Sequence, residues 1–193
     1  MNYLAHFHLA WPDPGLVAGG LEGDFYKGTL RGELPAALER GVRLHRAIDA
    51  YTDRHPLVHR LRREFPPDLR RYAGILVDLC FDHYLSVHWQ TFANIPMEEF
   101  KQAVYGHLRE HESALSHGSR TLLQGMVRYD ILGGYLDWDS VPAGAARIGQ
   151  RLRRDNPLGA VATTLVPLRD SLERTFLDFY PELQRFCARQ KAR

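Results

Sequence analysis

The chain has 193 residues, a length that fits one domain. Hydrophobic residues make up 45% of the chain and charged residues 25%, which is ordinary globular composition and excludes a disordered protein. Lys and Arg number 25 against 23 for Asp and Glu, so the net charge of +2 disfavours a dedicated nucleic-acid binder. The ten histidines instead point to metal or acid/base chemistry.

Helical periodicity dominates the chain, and alternating β patterns are weak. The predicted helices cover residues 1–12, 16–28, 35–54, 57–65, 69–90, 96–117, 119–136, 139–154 and a last region after Asn156-Pro157. Gly118 is expected to end the helix over 96–117, and Pro167 and Pro181 are expected to kink or divide the last region. We therefore predict an all-α, single-domain multi-helix bundle over residues 1–193.

The compartment follows from the cysteines and the apolar runs. Cys80 and Cys187 are far apart and form no C-x-x-C, so neither a disulfide framework nor a zinc ribbon is expected. No run approaches the roughly 18 apolar residues of a membrane span, and the opening stretch is a poor signal peptide. We expect a cytoplasmic protein without a membrane partner.

The best candidate for chemistry is the segment R-L-H-R-A-I-D-A-Y-T-D, residues 43–53. His45, Asp49 and Asp53 are spaced i, i+4 and i+8, so on a helix they form one polar stripe. Two plainer interpretations stay open: His45 and Asp49 as an exposed helix pair, and Asp53 as the partner of Arg54 or part of a turn.

A second candidate lies in the helix predicted over 69–90, which is apolar nearly all round and therefore typical of a buried helix. Asp78 and Asp82 are again spaced i, i+4, and His83 follows. Two uncompensated carboxylates there would cost several kcal/mol each. A divalent cation would offset that cost, and buried arginines such as Arg43 or Arg46 are the alternative.

Facing pairs of this kind commonly build metal sites in helical bundles. Asp24, which follows Gly23, is a third acid near closely approaching backbone. Mixed imidazole and carboxylate ligands suit Mn²⁺, Fe²⁺ or Zn²⁺ better than Ca²⁺. His6 and His8 point to different sides of a helix, so at most one of them faces such a site. P-loop, G-x-G-x-x-G, G-x-S-x-G and H-E-x-x-H motifs are absent from the sequence.

Five segments in the same order resemble one known family. They are M-N-Y-L-A-H-F-H-L-A (1–10), G-D-F-Y-K-G (23–28), H-R-A-I-D-A-Y-T-D (45–53), D-L-C-F-D-H-Y-L-S-V-H-W (78–89) and F-L-D-F-Y-P (176–181). Together they resemble the bacterial acyl carrier protein phosphodiesterases, also called holo-acyl-carrier-protein hydrolases. The resemblance implies an HD-domain-like all-α fold and Mn²⁺ dependence, with Mg²⁺, Fe²⁺ or Zn²⁺ as alternatives. It also implies removal of 4′-phosphopantetheine from the carrier protein's serine to give the apo form.

The resemblance also implies roles for particular residues. The implied metal ligands are Asp24, His45, Asp49, Asp82 and His83, with Asp53 and Asp78 as supporting or alternate ligands and His6 as a further contributor. For catalysis we expect Asp49 or Asp78 to accept the proton of the attacking water and His83 to protonate the leaving oxygen. The expected substrate-binding residues are Lys27, Arg43, Arg46, His6 and His88. The chain contains no His-Asp dipeptide, and Asp82-His83 has the reverse order.

The implied partner is holo acyl carrier protein, a small acidic helical protein. Three arginine clusters are candidates for contact with it, and each is alternatively a solvated helix face. The clusters are Arg60, Arg62 and Arg63; Arg70 and Arg71; and Arg147, Arg151, Arg153 and Arg154. Two other functions stay open: an HD-like phosphohydrolase acting on nucleotides or other small phosphoesters, and a non-catalytic helical binding module that needs no metal.

Overall fold

The computed structural model describes residues 1–192, and every regular element within that range is helical. The α-helices are α1 (Tyr3–Ala10), α2 (Pro14–Glu22), α3 (Ala36–Arg54), α4 (Pro56–Glu64), α5 (Ala73–Val87), α6 (Trp89–Phe92), α7 (Met97–Glu110), α8 (His117–Arg128), α9 (Ile131–Gly134), α10 (Ser140–Arg151), α11 (Ala162–Leu165) and α12 (Arg169–Lys191). None of them has the length and apolar character that spanning a bilayer requires. The predicted all-α class is confirmed.

Local capping chemistry sets several helix boundaries differently from the prediction. Helix α2 begins at Pro14 because the Asp13 side chain accepts a hydrogen bond from the Leu16 N–H at 3.0 Å. The helix predicted over 96–117 ends at Glu110, and Gly118 lies inside α8 instead of ending α7. The Ser116 side chain starts α8 by accepting from the Ser119 N–H at 3.3 Å.

The region predicted as one helix over 119–136 is divided at Asp130. This residue has a left-handed backbone conformation with φ of 42°, and its side chain accepts from the Gly133 N–H at 3.3 Å to begin α9. The two prolines of the last region have different surroundings. Pro167 lies in the 3₁₀ turn Val166–Leu168 before α12, but Pro181 lies inside α12 without dividing it.

The core is one contiguous cluster that extends from Met1 to Cys187. Helix α5 lies at its centre against α1, α10 and α12, as the apolar character of its sequence predicted. Aromatic side chains of α5 and α12 meet there, with the ring centroids of Phe81 and Phe176 5.5 Å apart in an edge-on arrangement. Helix α5 therefore brings its own polar positions next to the elements that surround it.

Helices α2 and α3 cross at unusually close range because glycines face each other at the crossing. A Cβ atom added to Gly19 would lie 2.4 Å from the Gly41 Cα, and one added to Gly15 would lie 2.4 Å from the Ala37 Cβ. Only backbone without a side chain fits at such a distance. The crossing carries the middle of α3 up to the carboxyl end of α2, where the polar stripe of α3 begins.

Substitution of Gly19 tests this crossing. We expect Gly19→Ala to lower the free energy of unfolding by about 1–3 kcal/mol, since the added methyl group must push α2 away from α3. The matched control is Gly125→Ala in α8, where an added Cβ meets nothing within 4 Å. That variant should be neutral or more stable by up to about 1 kcal/mol, because alanine favours the helix. Urea unfolding measures both, and equal effects would contradict the close crossing.

Candidate metal centre

Two histidines and one aspartate meet where α1 passes α3. His6, His45 and Asp49 each offer one potential ligand atom, and these three atoms lie within 4.8 Å of one another. Within residues 1–192, this is the one group of three or more His, Cys, Asp or Glu side chains with that geometry. Asp49 Oδ1 lies 3.1 Å from His6 Nε2, and Asp49 Oδ2 lies 3.2 Å from His45 Nε2. The two imidazole rings stack with centroids 4.0 Å apart. We call these three residues the His-Asp cluster.

The orientation of His45 is determined by the carboxyl end of α2. Its Nδ1 lies 2.9 Å from the Gly20 carbonyl oxygen, so Nδ1 carries the proton and donates to that oxygen. The ring also lies directly over Gly23, where an added Cβ would come within 2.3 Å of the His45 Cγ. Because Nδ1 is engaged and the ring is confined, Nε2 is the atom that faces Asp49. A hydrogen bond of this kind is typical of histidines that bind metals.

Asp24 borders the His-Asp cluster on its open side. Its Oδ1 lies 3.5 Å from His45 Nε2, and its side chain is 46% exposed. Arg46, one residue beyond His45, donates to the Tyr26 and Gly28 carbonyl oxygens at 2.9 Å each. This arginine therefore holds the loop that carries Asp24 against α3.

Burial and mutual contact set the protonation states of the cluster. Burial, and then the neighbouring His45 ring, lowers the pKa of His6 to about 4, so His6 is neutral at pH 7. Burial would raise the pKa of Asp49, but its contacts with the His45 and His6 rings outweigh that effect and hold the pKa below its usual range. Neutral imidazole and ionised carboxylate are the forms that bind a divalent cation. The His6 Nδ1 is buried without a hydrogen-bond partner among the described residues.

The acids of α5 have partners other than the cation expected from the sequence. Asp82 is fully buried and accepts hydrogen bonds from the Leu4 N–H at 2.7 Å and the Ala5 N–H at 3.2 Å. It therefore caps the amino end of α1, whose free N–H groups and dipole stabilise a carboxylate. Asp78 Oδ1 lies 3.0 Å from the Met1 nitrogen, which is also 3.6 Å from Asp49 Oδ1. These two acids hold the start of α1 in place.

The structure does not bring Asp82 or His83 into the His-Asp cluster, and their assignment as metal ligands stays a prediction. Successive residues on a helix point about 100° apart, so Asp82 faces α1 while His83 faces the region before α10. His83 Nδ1 lies 2.9 Å from the Tyr135 carbonyl oxygen, and its ring packs edge-on against Trp138 at 5.1 Å between centroids. The catalytic roles assigned to Asp78 and His83 stay predictions.

Of the expected substrate-binding residues, only His6 belongs to the cluster. Arg43 forms an ion pair with Glu39, and His88 Nε2 lies 2.6 Å from Glu173 Oε1. Lys27 is exposed. Asp53, at the end of the expected stripe, accepts instead from Arg62 at 2.7 Å.

His8 shows that α1 presents only one of its two histidines to the cluster. Its Nδ1 lies 2.7 Å from the Tyr180 hydroxyl on α12. It also lines a cavity of about 340 Å³ together with Trp11, Phe92, Cys187 and Lys191. No member of the His-Asp cluster lines this cavity, so the cavity and the candidate metal centre are separate features.

A helical fold with a His-carboxylate cluster near its surface defines the chain as a helical protein with a candidate metal centre. The family model described as acyl carrier protein phosphodiesterase matches residues 1–183. The chain is 32% identical to the acyl carrier protein phosphodiesterase of Yersinia pestis, with 96% of each chain covered. It is also 32% identical to that of Klebsiella pneumoniae (strain 342), with 97% of each covered.

A third relative, the acyl carrier protein phosphodiesterase of Escherichia coli O45:K1 (strain S88 / ExPEC), is 31% identical over 98% of this chain and 99% of its own. The chain therefore belongs to the acyl carrier protein phosphodiesterase family, and the resemblance stated from the sequence is confirmed. No solved structure gives a significant match to the chain.

The cap formed by Asp82 should appear in the pH dependence of stability. Burial raises the pKa of Asp82 to about 7, although the Leu4 and Ala5 N–H groups act in the opposite direction. The folded protein therefore keeps this proton between about pH 4 and pH 7, where the unfolded chain has lost it. The stability that this group contributes is present at low pH and is lost as the pH rises towards 7.

Asp82→Asn removes this titration and weakens the cap. We expect the variant to be less stable than the wild type, with a difference that narrows as the pH rises from about 4 to about 7. Urea unfolding of both proteins across this pH range measures the difference in their free energies of unfolding. Titrating groups that the two proteins share contribute equally to both and cancel in this difference. A difference that stays constant or widens would contradict the assignment.

Proposed function

We propose that this chain hydrolyses the phosphodiester that joins 4′-phosphopantetheine to the serine of holo acyl carrier protein, and that it uses a divalent cation held by the His-Asp cluster. The observation that supports it is the convergence of His6, His45 and Asp49 in a chain of this family. The carrier protein and the phosphodiester come from the names of the relatives. The metal and the apo product are our own proposal.

The donor set fits a transition metal. Two neutral imidazoles with one or two carboxylates suit Mn²⁺, Fe²⁺ or Zn²⁺, whereas Mg²⁺ prefers oxygen ligands alone. Asp49 is 42% exposed and Asp24 is 46% exposed, so the cluster opens towards solvent on the side of these acids. We propose Mn²⁺, bound by His6, His45 and Asp49 with Asp24 as a fourth ligand or a base.

The residues of the chain then have distinct tasks in the hydrolysis. His6, His45 and Asp49 would hold a divalent cation, which when bound would supply a lowered pKa for a bound water and polarisation of a phosphoryl oxygen. The Asp24 carboxylate, on the open side of the cluster, accepts the proton of the attacking water. The water oxygen bonds to phosphorus as the bond to the serine oxygen breaks. The serine takes up a proton, and 4′-phosphopantetheine leaves as a phosphomonoester.

Tyr3 lies beside the proposed base. Burial, and then the adjacent Asp24 carboxylate, raises the pKa of its hydroxyl well above the usual range. The hydroxyl therefore keeps its proton at neutral pH and can donate a hydrogen bond to a phosphoryl or serine oxygen. Tyr3 was not predicted from the sequence, because its proximity to Asp24 depends on how α1 packs.

Intact-mass spectrometry of holo acyl carrier protein tests the reaction directly. We expect incubation with this protein and Mn²⁺ to remove the mass of 4′-phosphopantetheine. EDTA should block that loss, because it removes the cation that would ionise the attacking water. Retention of the prosthetic group with Mn²⁺ present would reject the proposed reaction. Loss of the group at the same rate in EDTA would reject the metal.

A pair of histidine variants tests which residues hold the metal. Since His6 lies in the cluster and His83 is engaged by Tyr135, His6→Ala should weaken Mn²⁺ binding at least about tenfold, whereas His83→Ala should retain it. Isothermal titration with Mn²⁺ measures both, and His59→Ala on the exposed face of α4 is the control. The reverse result would restore the ligand set implied by the family motifs and reject the His-Asp cluster.

A further inference from the structure

The Lys and Arg side chains of this protein differ in whether a carboxylate lies close enough to form an ion pair. The Lys and Arg side chains with a carboxylate within 4.0 Å, among residues 1–192, are Arg40, Arg43, Arg62 and Lys101. Of the three clusters predicted from the sequence, the one on α4 therefore has its central member, Arg62, paired with Asp53. The α10 cluster has no such pair within the described residues.

We define the α10 arginine surface as Arg147, Arg151, Arg153 and Arg154. All four residues are exposed, and Leu152 among them is a large apolar side chain that is 40% exposed. Arg147 and Arg151 are spaced i, i+4 and so lie on one face of α10 about 6 Å apart along its axis. A single phosphodiester does not span a surface of this length, so the surface suits an extended anionic partner.

This surface borders the candidate metal centre through the start of α1. Asn2 Nδ2 donates to the Tyr135 hydroxyl at 3.0 Å, which joins the start of α1 to the chain just before α10. Arg151 lies close enough to Tyr3, and Arg147 close enough to Tyr135, for their charges to interact with those side chains. Tyr3 in turn adjoins Asp24, which lies 3.5 Å from His45.

An exposed apolar residue adjoins Asp24 in the sequence. Phe25 directly follows Asp24 and is 37% exposed. Its ring packs over α8, where a Cβ added to Gly118 would come within 2.4 Å of it. Protein interfaces combine apolar contacts with a charged rim. Phe25 next to Asp24 and Leu152 among the arginines provide exposed apolar side chains, and the four arginines provide the charge.

We infer that the α10 arginine surface is where an acidic helix of the carrier protein docks, with the serine-linked phosphodiester directed past Tyr3 into the His-Asp cluster. This inference rests on the proposed function and adds the surface that recognises the macromolecular part of the substrate. A protein partner is favoured over nucleic acid because the whole chain carries a net charge of only +2. The arginines then act through charge complementarity, which speeds association and sets orientation.

The test compares two charge reversals of equal size. Arg153→Glu/Arg154→Glu alters the α10 arginine surface beyond the end of the helix, and Arg60→Glu/Arg63→Glu alters two exposed arginines on α4. Fluorescence anisotropy measures binding to labelled apo acyl carrier protein, which has no prosthetic group to lose. We expect the first variant to weaken binding about tenfold or more and to flatten its salt dependence, and the second to stay within about twofold of the wild type.

Two other kinds of result in the binding experiment would overturn the inference. Unchanged binding in the first variant, or equal weakening in both, would show that the α10 arginine surface is not the docking site. Tighter binding of a single-stranded oligonucleotide than of carrier protein, lost in the first variant, would assign the surface to nucleic acid. The mass assay separates the two proposals: retained binding without release of the prosthetic group would reject the hydrolysis while leaving the surface supported.

Discussion

The close crossing of α2 and α3 is the constraint on which the candidate site depends. Because Gly19 and Gly41 bring the two backbones together, the carboxyl end of α2 reaches the His45 ring. The Gly20 carbonyl then engages Nδ1 and the backbone at Gly23 confines the ring. A side chain at the crossing would move this end of α2 by the width of a methyl group, and a metal site is sensitive to displacements of that size. The glycine packing and the geometry of the candidate metal centre are therefore linked in this chain.

The second half of the cluster depends on the acids of α5. Helix α1 has only eight residues, which is too short to be stable by itself. Asp82 satisfies two of its free N–H groups, and Asp78 holds Met1, so α1 is fixed at the end from which His6 projects. Burying a carboxylate is unfavourable unless hydrogen bonds and opposite charge compensate it, and the start of α1 supplies both. The acids thus position a histidine of the proposed metal site without being part of the cluster.

Local sequence patterns predicted most of the helices and part of the candidate site. The remaining features of the site depend on long-range packing. The helix predicted over 35–54 is observed as Ala36–Arg54 because prolines mark both of its ends. The pairing of His45 with Asp49 follows from i, i+4 spacing alone. By contrast, the position of His6 in the cluster depends on how α1 crosses α3. His6 and His45 are 39 positions apart in the sequence, and helical periodicity does not predict a contact between such distant residues. The buried Asp82 correctly signalled that something must compensate a carboxylate, but composition does not distinguish a metal ion from a helix terminus.

The location of the cluster is itself informative about the substrate. Its two imidazoles are buried, while Asp24 and Asp49 remain nearly half exposed, so the cluster lies close to the protein surface. The cavity lined by His8 and Lys191 lies elsewhere and shares no residue with the cluster. A small phosphoester is usually held by enclosing it in a pocket that buries most of its surface. A centre close to the surface must instead bind its substrate through the protein surface around it. Such a centre suits the proposed substrate, a phosphodiester on the outside of another protein.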